Sequence, residues 1–182
     1  PLIILDSVVF TVNNNIQDVK LVAWGQDANF IKHNHTDTVL NMQYHLISEN
    51  TVWSGPKPYV VYGMVFVAPG TTLTVSEGTQ IHFHNRSAMV FLGESTLNVE
   101  GQLDRPVVFQ GDRLEDDYTD LPGQWGYIWL TATSRNHHIN HAIIKNATYG
   151  IILDSIGSFT EPTLRISNTV IENMNRVGLK LR

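Results

Sequence analysis

Between Leu73 and Phe109 the sequence reads LTVSEGTQIHFHNRSAMVFLGESTLNVEGQLDRPVVF. Apolar residues recur here in pairs separated by one residue, and the pairs begin at positions 73, 81, 89, 97 and 107 with glycine-containing turns between several of them. Alternation with a period of two is typical of β-strands and not of helices. Three strands with their turns span about 24 residues, which predicts the coil of a β-solenoid in which Leu73 and Leu97 stack one coil apart.

A second repeat lies nearer the C-terminus. Residues 139–153 and 166–181 carry the same pattern, in which isoleucines are followed by Asn146 or Asn173 and then by a glycine. We therefore predict that Asn146 and Asn173 are structural turn residues of successive coils. Buried amides at such positions can hydrogen-bond to one another, and two surface asparagines are the alternative.

The composition excludes several kinds of protein. Hydrophobic residues make up 42% of the chain and charged residues 16%, as is typical of a folded globular protein. A formal net charge of −5, without runs of Lys or Arg, argues against nucleic acid as a partner. The chain has no cysteine, which rules out disulfides and thiolate metal sites. No apolar run approaches the roughly 20 residues of a membrane-spanning helix.

The N-terminal part predicts a separate unit. Residues 1–31 contain two runs of alternating apolar residues joined around Asn13, Asn14 and Asn15, which favours a hairpin. Because an isolated hairpin is marginally stable, we expect it to complete a module whose other strands lie upstream in a larger protein. Residues 32–58 are interpreted as a polar connector with one strand, and residues 59–182 as the solenoid.

Several longer motifs point to a known family. The most specific run extends from Val107 to Leu130. The motifs are PYVVYG (58–63), GTTLTV (70–75), PVVFQGDRLE (106–115), PGQWG (122–126), IWL (128–130) and IKN (144–146). Together they resemble the pectin-lyase-like right-handed parallel β-helices, and more narrowly uncharacterised surface proteins of Bacteroidetes-type bacteria.

The resemblance implies an all-β fold with three strands per coil and a location outside the cell or on its surface, associated with the outer membrane. It implies no established activity. Residues 6–28 are similar to the closing strands of an immunoglobulin-like module, which would precede the β-helix. The function expected is a non-catalytic module that presents loops to a polysaccharide or a surface protein.

An acidic segment interrupts the repeat and is the candidate metal site. Five carboxylates fall within nine residues, and oxygen ligands at this density suit Ca²⁺. They belong to Asp112, Glu115, Asp116, Asp117 and Asp120. The alternative is a solvated loop, since insertions from a solenoid are commonly polar.

Aromatic residues flank the same segment and form the candidate ligand-binding surface: Tyr118, Trp125, Tyr127 and Trp129. If Ile128 and Leu130 point inward, Tyr127 and Trp129 point outward, where flat rings suit sugars or a protein partner. The alternative is that Trp125 and Trp129 cover the hydrophobic edge of a coil.

No motif marks a catalytic reaction, although an alternative function is open. It is a polysaccharide lyase or glycoside hydrolase acting on acidic polysaccharide, with catalytic coils partly beyond Arg182. The alternation places His82 and His84 on one outer face, as a zinc or copper pair would need, and isolated surface histidines are the other interpretation. The repeat is still open at Leu179 and Leu181, so we expect further coils, or another chain, to cover this end.

Overall fold

The computed structural model describes residues 2–25, 27–154 and 161–182, which form strands and one short 3₁₀ helix at residues 116–118. The strands in these ranges are β1 (Leu2–Val12), β2 (Asn15–Gly25), β3 (Asn29–Ile31), β4 (His35–Asp37), β5 (Met42–Ile47), β6 (Thr51–Trp53), β7 (Tyr59–Val67), β8 (Thr72–Ser76), β9 (Gln80–Phe91), β10 (Thr96–Glu100), β11 (Val107–Gly111), β12 (Ile128–Leu130), β13 (His137–Asn140), β14 (Ala142–Lys145), β15 (Tyr149–Leu153), β16 (Leu164–Ser167), β17 (Val170–Glu172) and β18 (Val177–Leu181). Within these ranges no helix is long and apolar enough to cross a membrane.

Parallel ladders connect strands that are far apart in sequence. One sheet contains β6, β8, β10, β13 and β16 in that spatial order, and Leu73 lies opposite Leu97 in it. The predicted stacking of these two leucines is therefore confirmed. The long strand β9 pairs through its first part with β11 and through its second part with β12, and these ladders continue to β17 and β18.

The core lies between these ladders and is built from the inward residues of successive coils. Leu97, Phe83, Phe91 and Phe109 are fully buried. The intervening residues point outward, so each strand contributes every second side chain to the core. Burial of this kind is worth about 25 cal/mol for each Å² of apolar surface removed from water. Stacked apolar side chains are therefore the main source of stability.

Two glycines allow neighbouring coils to approach closely. A Cβ atom at Gly101 would lie 1.9 Å from the carbonyl oxygen of His141, and one at Gly150 would lie 2.3 Å from that of Gly178. Any other residue would push the coils apart at these points. The glycine after each asparagine in the sequence repeat thus has a packing role.

The hairpin expected near the N-terminus is present. β1 and β2 pair antiparallel with Val8 opposite Val19. Cross-strand partners share a face, which is apolar here: Val8, Phe10, Val12, Val19 and Leu21 are between 43% and 65% exposed. This face is uncovered by the described residues.

The segment between the hairpin and β7 differs from the single-strand connector that the sequence predicts. It contains β4, β5 and β6, and β5 and β6 pair in parallel with β7 and β8. β3, from the range assigned to the preceding module, also pairs in parallel with β7. The predicted strand begins at Met42 instead of Leu40, because Leu40 lies in a turn and is 68% exposed.

Replacing Leu97 with alanine tests the dependence on coil stacking. Leu97 is fully buried, so Leu97→Ala is expected to lower the free energy of unfolding by about 2 to 5 kcal/mol through lost burial and a residual cavity. Leu103→Ala is the matched control, because Leu103 is 87% exposed and its truncation should change stability by less than about 0.5 kcal/mol. Urea unfolding followed by tryptophan fluorescence measures both; similar losses would contradict this account of the core.

Candidate functional site

The acidic segment, residues 112–124, forms a loop that lies over two turns of the helix; we call it the acidic loop. The side-chain amide of Asn146 donates a hydrogen bond of 2.9 Å to the carbonyl oxygen of Thr119. The amide of Asn173 donates to the Asp120 carboxylate at 3.1 Å. Residues of two successive coils therefore hold the loop in place.

The asparagines occupy equivalent turns, but their hydrogen bonds are not those we expected. Asn146 and Asn173 both adopt positive φ values, 66° and 54°. These values fall in the left-handed region, which asparagine tolerates better than most residues. Each side-chain amide donates to the acidic loop instead of to its counterpart, because the inserted loop brings oxygen atoms over the turns. The expected ladder of amides is wrong, and the asparagines anchor the loop.

The five carboxylates of the acidic loop do not form the calcium site that the sequence predicts. The Asp112 carboxylate lies 2.6 Å from the imidazole of His84, and Glu115 lies 2.8 Å from the Arg113 guanidinium. Asp116 and Asp117 are exposed on the 3₁₀ helix. Among the described residues no three His, Asp or Glu side chains converge to hold a metal ion. The loop geometry separates the acidic groups, and each engages a different partner or solvent.

A cleft of about 360 Å³ lies between the acidic loop and β9. We call it the Tyr118 cleft. The guanidinium carbon of Arg113 lies 3.9 Å from the centre of the Tyr118 ring, and the ring of Tyr62 lies 4.8 Å from that of His84. The cleft thus combines a stacked cation–aromatic pair with an imidazole held by a carboxylate. Its lining residues are His84, Asn85, Asp112, Arg113, Tyr118, Leu121, Pro122, Gly123 and Gln124.

The pairing of His84 with Asp112 was missed in the sequence. The register of β9 with β11 places His82 opposite Gln110, an offset of 28 residues, and the same offset leads from His84 to Asp112. The repeat therefore contained the signal. It was not used because the 24-residue spacing of the first coils differs from the 28-residue offset at this position.

A second cleft, of about 450 Å³, borders the same strand. We call it the His82 cleft. His82 points away from the core as predicted, but only 4% of its surface is exposed, and burial lowers its pKa below the ordinary value. His84 is exposed, so the two imidazoles have different environments instead of forming a pair of open metal ligands. The lining residues are Asp27, Pro56, Pro58, Gly78, Gln80, His82 and Leu114.

The two clefts lie side by side along β9. Gln80 and His82 line one of them, and His84 and Asn85 line the other. At about 3.4 Å per residue, this part of the strand is about 17 Å long. Arg113 lines the Tyr118 cleft and Leu114 the His82 cleft, so the start of the acidic loop lies beside both.

The predicted aromatic surface loses one member. Trp125 is 1% exposed and stacks on Phe83, with ring centres 4.1 Å apart. It therefore belongs to the core, as the alternative interpretation proposed, and offers no face to a ligand. Ile128 and Leu130 are fully buried, so Tyr127 and Trp129 point outward as the alternation predicted.

Trp129 is held in place by charged residues. Its indole nitrogen donates to the Asp154 carboxylate at 2.7 Å, and the Arg182 guanidinium lies 5.1 Å from its ring centre. Desolvation raises the pKa of Asp154, but hydrogen bonds from Arg182 and Trp129 outweigh it and keep the pKa below its usual value. One part of this surface is thus occupied by an intramolecular contact.

His137 has a structural role. Its Nδ1 atom accepts a 2.9 Å hydrogen bond from the backbone of Leu97, so the proton is on Nε2, which lies 2.9 Å from the Ser134 hydroxyl. That hydroxyl donates to the carbonyl oxygen of Thr131 at 2.7 Å. The imidazole cannot act as a base toward Ser134, because its only acceptor atom is occupied. Burial lowers the pKa of His137 to about 4.

Parallel ladders with buried inward residues agree with a comparison to known families. A family model described as "Pectate-lyase like beta helix domain" matches residues 45–176. The chain belongs to this family. The match of this β-helix domain begins within β5, upstream of residue 59, where the sequence analysis placed its start. No curated protein and no solved structure matches the chain. The narrower resemblance to Bacteroidetes-type surface proteins stays a prediction.

The low pKa of His137 predicts a dependence of stability on pH. The unfolded chain binds the proton with a pKa near 6.5 and the folded chain with a pKa of about 4, so protonation favours unfolding. The stability contributed by this group is lost as the pH falls from 6.5 toward 4, by about 2 kcal/mol between pH 7 and pH 5. Urea unfolding at these two pH values should show a smaller difference for His137→Gln than for the wild type.

The neighbouring exposed histidine provides the control. His138→Gln should retain the full dependence on pH, because His138 points away from the core. An NMR titration that finds His137 protonated at pH 6 in the folded wild type would contradict the prediction.

Proposed function

We propose that the chain is a non-catalytic glycan-binding module of a secreted or cell-surface protein and that the ligand occupies the Tyr118 cleft. The observation that carries the proposal is the stacked Arg113–Tyr118 pair beside the paired His84 and Asp112. Sugars combine apolar ring faces with hydroxyl groups, and an aromatic side chain among hydrogen-bonding groups suits both. Tyr127 contributes a second aromatic group on the outer surface.

The arrangement of acidic groups supports the non-catalytic part of the proposal. Glycoside hydrolysis uses two carboxylates placed on either side of the scissile bond. Asp112 and Glu115 have salt-bridge partners on different side chains, and Asp120 accepts a hydrogen bond from Asn173. These interactions fit a loop that shapes a cleft.

The same cleft favours a second candidate function, a lyase or hydrolase acting on acidic polysaccharide. An imidazole held by a carboxylate can act as a base, and a nearby guanidinium can neutralise a uronate. His84, Asp112 and Arg113 supply these groups. Incubation with oligogalacturonate, followed by ultraviolet absorbance of new carbon–carbon double bonds, tests the lyase form, and reducing-end release tests the hydrolase form.

The proposal extends to the architecture of the chain. We infer three strands for each coil and a right-handed path, since parallel crossover connections are almost always right-handed. The order β8, first part of β9, second part of β9, β10 supports this inference. We further propose that β1 and β2 complete an immunoglobulin-like module, which the uncovered apolar face of the hairpin supports.

Tyr118→Ala is expected to weaken glycan binding about ten-fold or more, because stacking of a ligand on an aromatic ring is worth about 1 to 3 kcal/mol. Tyr127→Ala is the matched control, since Tyr127 lies outside the Tyr118 cleft. The probes are cello-, xylo- and manno-oligosaccharides, screened by affinity electrophoresis and then measured by calorimetry. Equal losses in both variants would remove the site from this cleft, and an absence of binding to every glycan would contradict the proposed function.

Removing residues 1–26 tests the independence of the hairpin. β1 and β2 pair with each other and with no other described strand. We therefore expect the thermal midpoint of residues 27–182 to stay within about 2 °C of that of the full chain, which corresponds to less than about 0.5 kcal/mol. A large drop, measured by circular dichroism, would show that the hairpin belongs to the β-helix and not to a separate module.

A further inference from the structure

We propose that the Tyr118 and His82 clefts together form one groove along β9 that selects an uncharged, linear oligosaccharide. The inference rests on the proposed function and names the ligand class for the same site. It also separates this chain from the acidic substrates that the family description suggests.

The charge of the acidic loop is the first argument. Residues 112–124 contain five carboxylates and one cationic side chain, Arg113, so the formal charge is −5 + 1 = −4. Asp116 and Asp117 are exposed and have no neighbouring cation within the loop other than Arg113. At physiological ionic strength charges interact over about 8 Å, so a polyanionic chain entering the groove meets this repulsion.

The pairing of the cationic groups is the second argument. The Arg113 guanidinium binds Glu115 through Nε at 3.0 Å and through Nη2 at 2.8 Å. At the other end, Lys57 lies 2.6 Å from Asp27, which lines the His82 cleft. A ligand carboxylate would have to displace acidic side chains that are already tethered beside these cations. The attraction left for an anionic sugar is therefore small.

The remaining lining groups are uncharged and suit hydroxyl groups. Gln80, Asn85 and Tyr118 can each donate and accept hydrogen bonds. Burial lowers the pKa of His82, which keeps its imidazole neutral in the groove. Such groups recognise hydroxyls without requiring a charge on the ligand.

Apolar residues complete the groove and give it direction. Pro56 and Pro58 line one end, Leu121 and Pro122 the other, and Leu114 lies between them in the loop. These side chains can pack against the apolar faces of sugar rings. Both clefts follow the same 17 Å of strand, at about 3.4 Å per residue, which fits several linked sugars better than a single one.

The test compares neutral and anionic oligosaccharides on the full chain. Calorimetry is run with cello-, xylo- and manno-oligosaccharides and with oligogalacturonate of similar length, at low and high salt. We expect at least one neutral series to bind with an affinity that changes less than two-fold with salt. Oligogalacturonate should bind about ten-fold more weakly, equivalent to about 1.4 kcal/mol, and should improve as salt screens the loop.

Two variants separate charge from shape. In Asp116→Asn with Asp117→Asn, two exposed carboxylates are removed, so oligogalacturonate binding should strengthen while neutral binding stays unchanged. In Leu114→Ala, the side chain that lines the His82 cleft is shortened, so binding of longer neutral oligosaccharides should weaken more than that of disaccharides. Leu103→Ala is the control for removal of an exposed leucine elsewhere.

The outcomes distinguish this inference from the proposed function. Tighter binding of oligogalacturonate than of every neutral series, or uronate binding that appears with Ca²⁺ and disappears with a chelator, would overturn the selectivity and leave glycan binding standing. Cleavage of oligogalacturonate would overturn both. An absence of binding to all of these probes would also overturn both.

Discussion

The structure depends on one interaction above all, the stacking of inward apolar side chains from one coil onto those of the next. Leu73 on Leu97 and Ile81 on Phe109 are examples in two different ladders. Parallel strands bring residues of the same position in each coil together, so the sequence repeat and the core are the same feature. Polar residues at the alternate positions are left on the outside, where they form the surfaces that a ligand can reach.

The candidate site is built where this regular stacking is interrupted. The acidic loop leaves the helix after β11 and returns before β12, and its conformation is fixed by side chains that belong to later coils. Asn146 binds its backbone and Asn173 binds its Asp120 carboxylate. The Tyr118 cleft is therefore shaped jointly by an insertion and by the turns beneath it, while β9 supplies a rigid floor.

Much of the fold could be predicted because a solenoid repeats its signal. The spacing of the apolar pairs predicted the stacking of Leu73 on Leu97, and the alternation predicted the burial of Ile128 and Leu130. The site was less accessible, since contacts within an irregular loop leave no periodic pattern. Carboxylates close in sequence suggested a shared metal ion, yet the loop directs Asp112 toward His84 and Glu115 toward Arg113.

Anchoring of the acidic loop by later coils couples regions that are far apart along the chain. Local opening of the coils that carry Asn146 and Asn173 would release residues 118–120 and deform the Tyr118 cleft, even if β9 stayed folded. A ligand in that cleft binds only the closed arrangement and so shifts the equilibrium toward it. Amide hydrogens around Asn146 and Asn173 would then exchange more slowly, although neither residue lines the cleft.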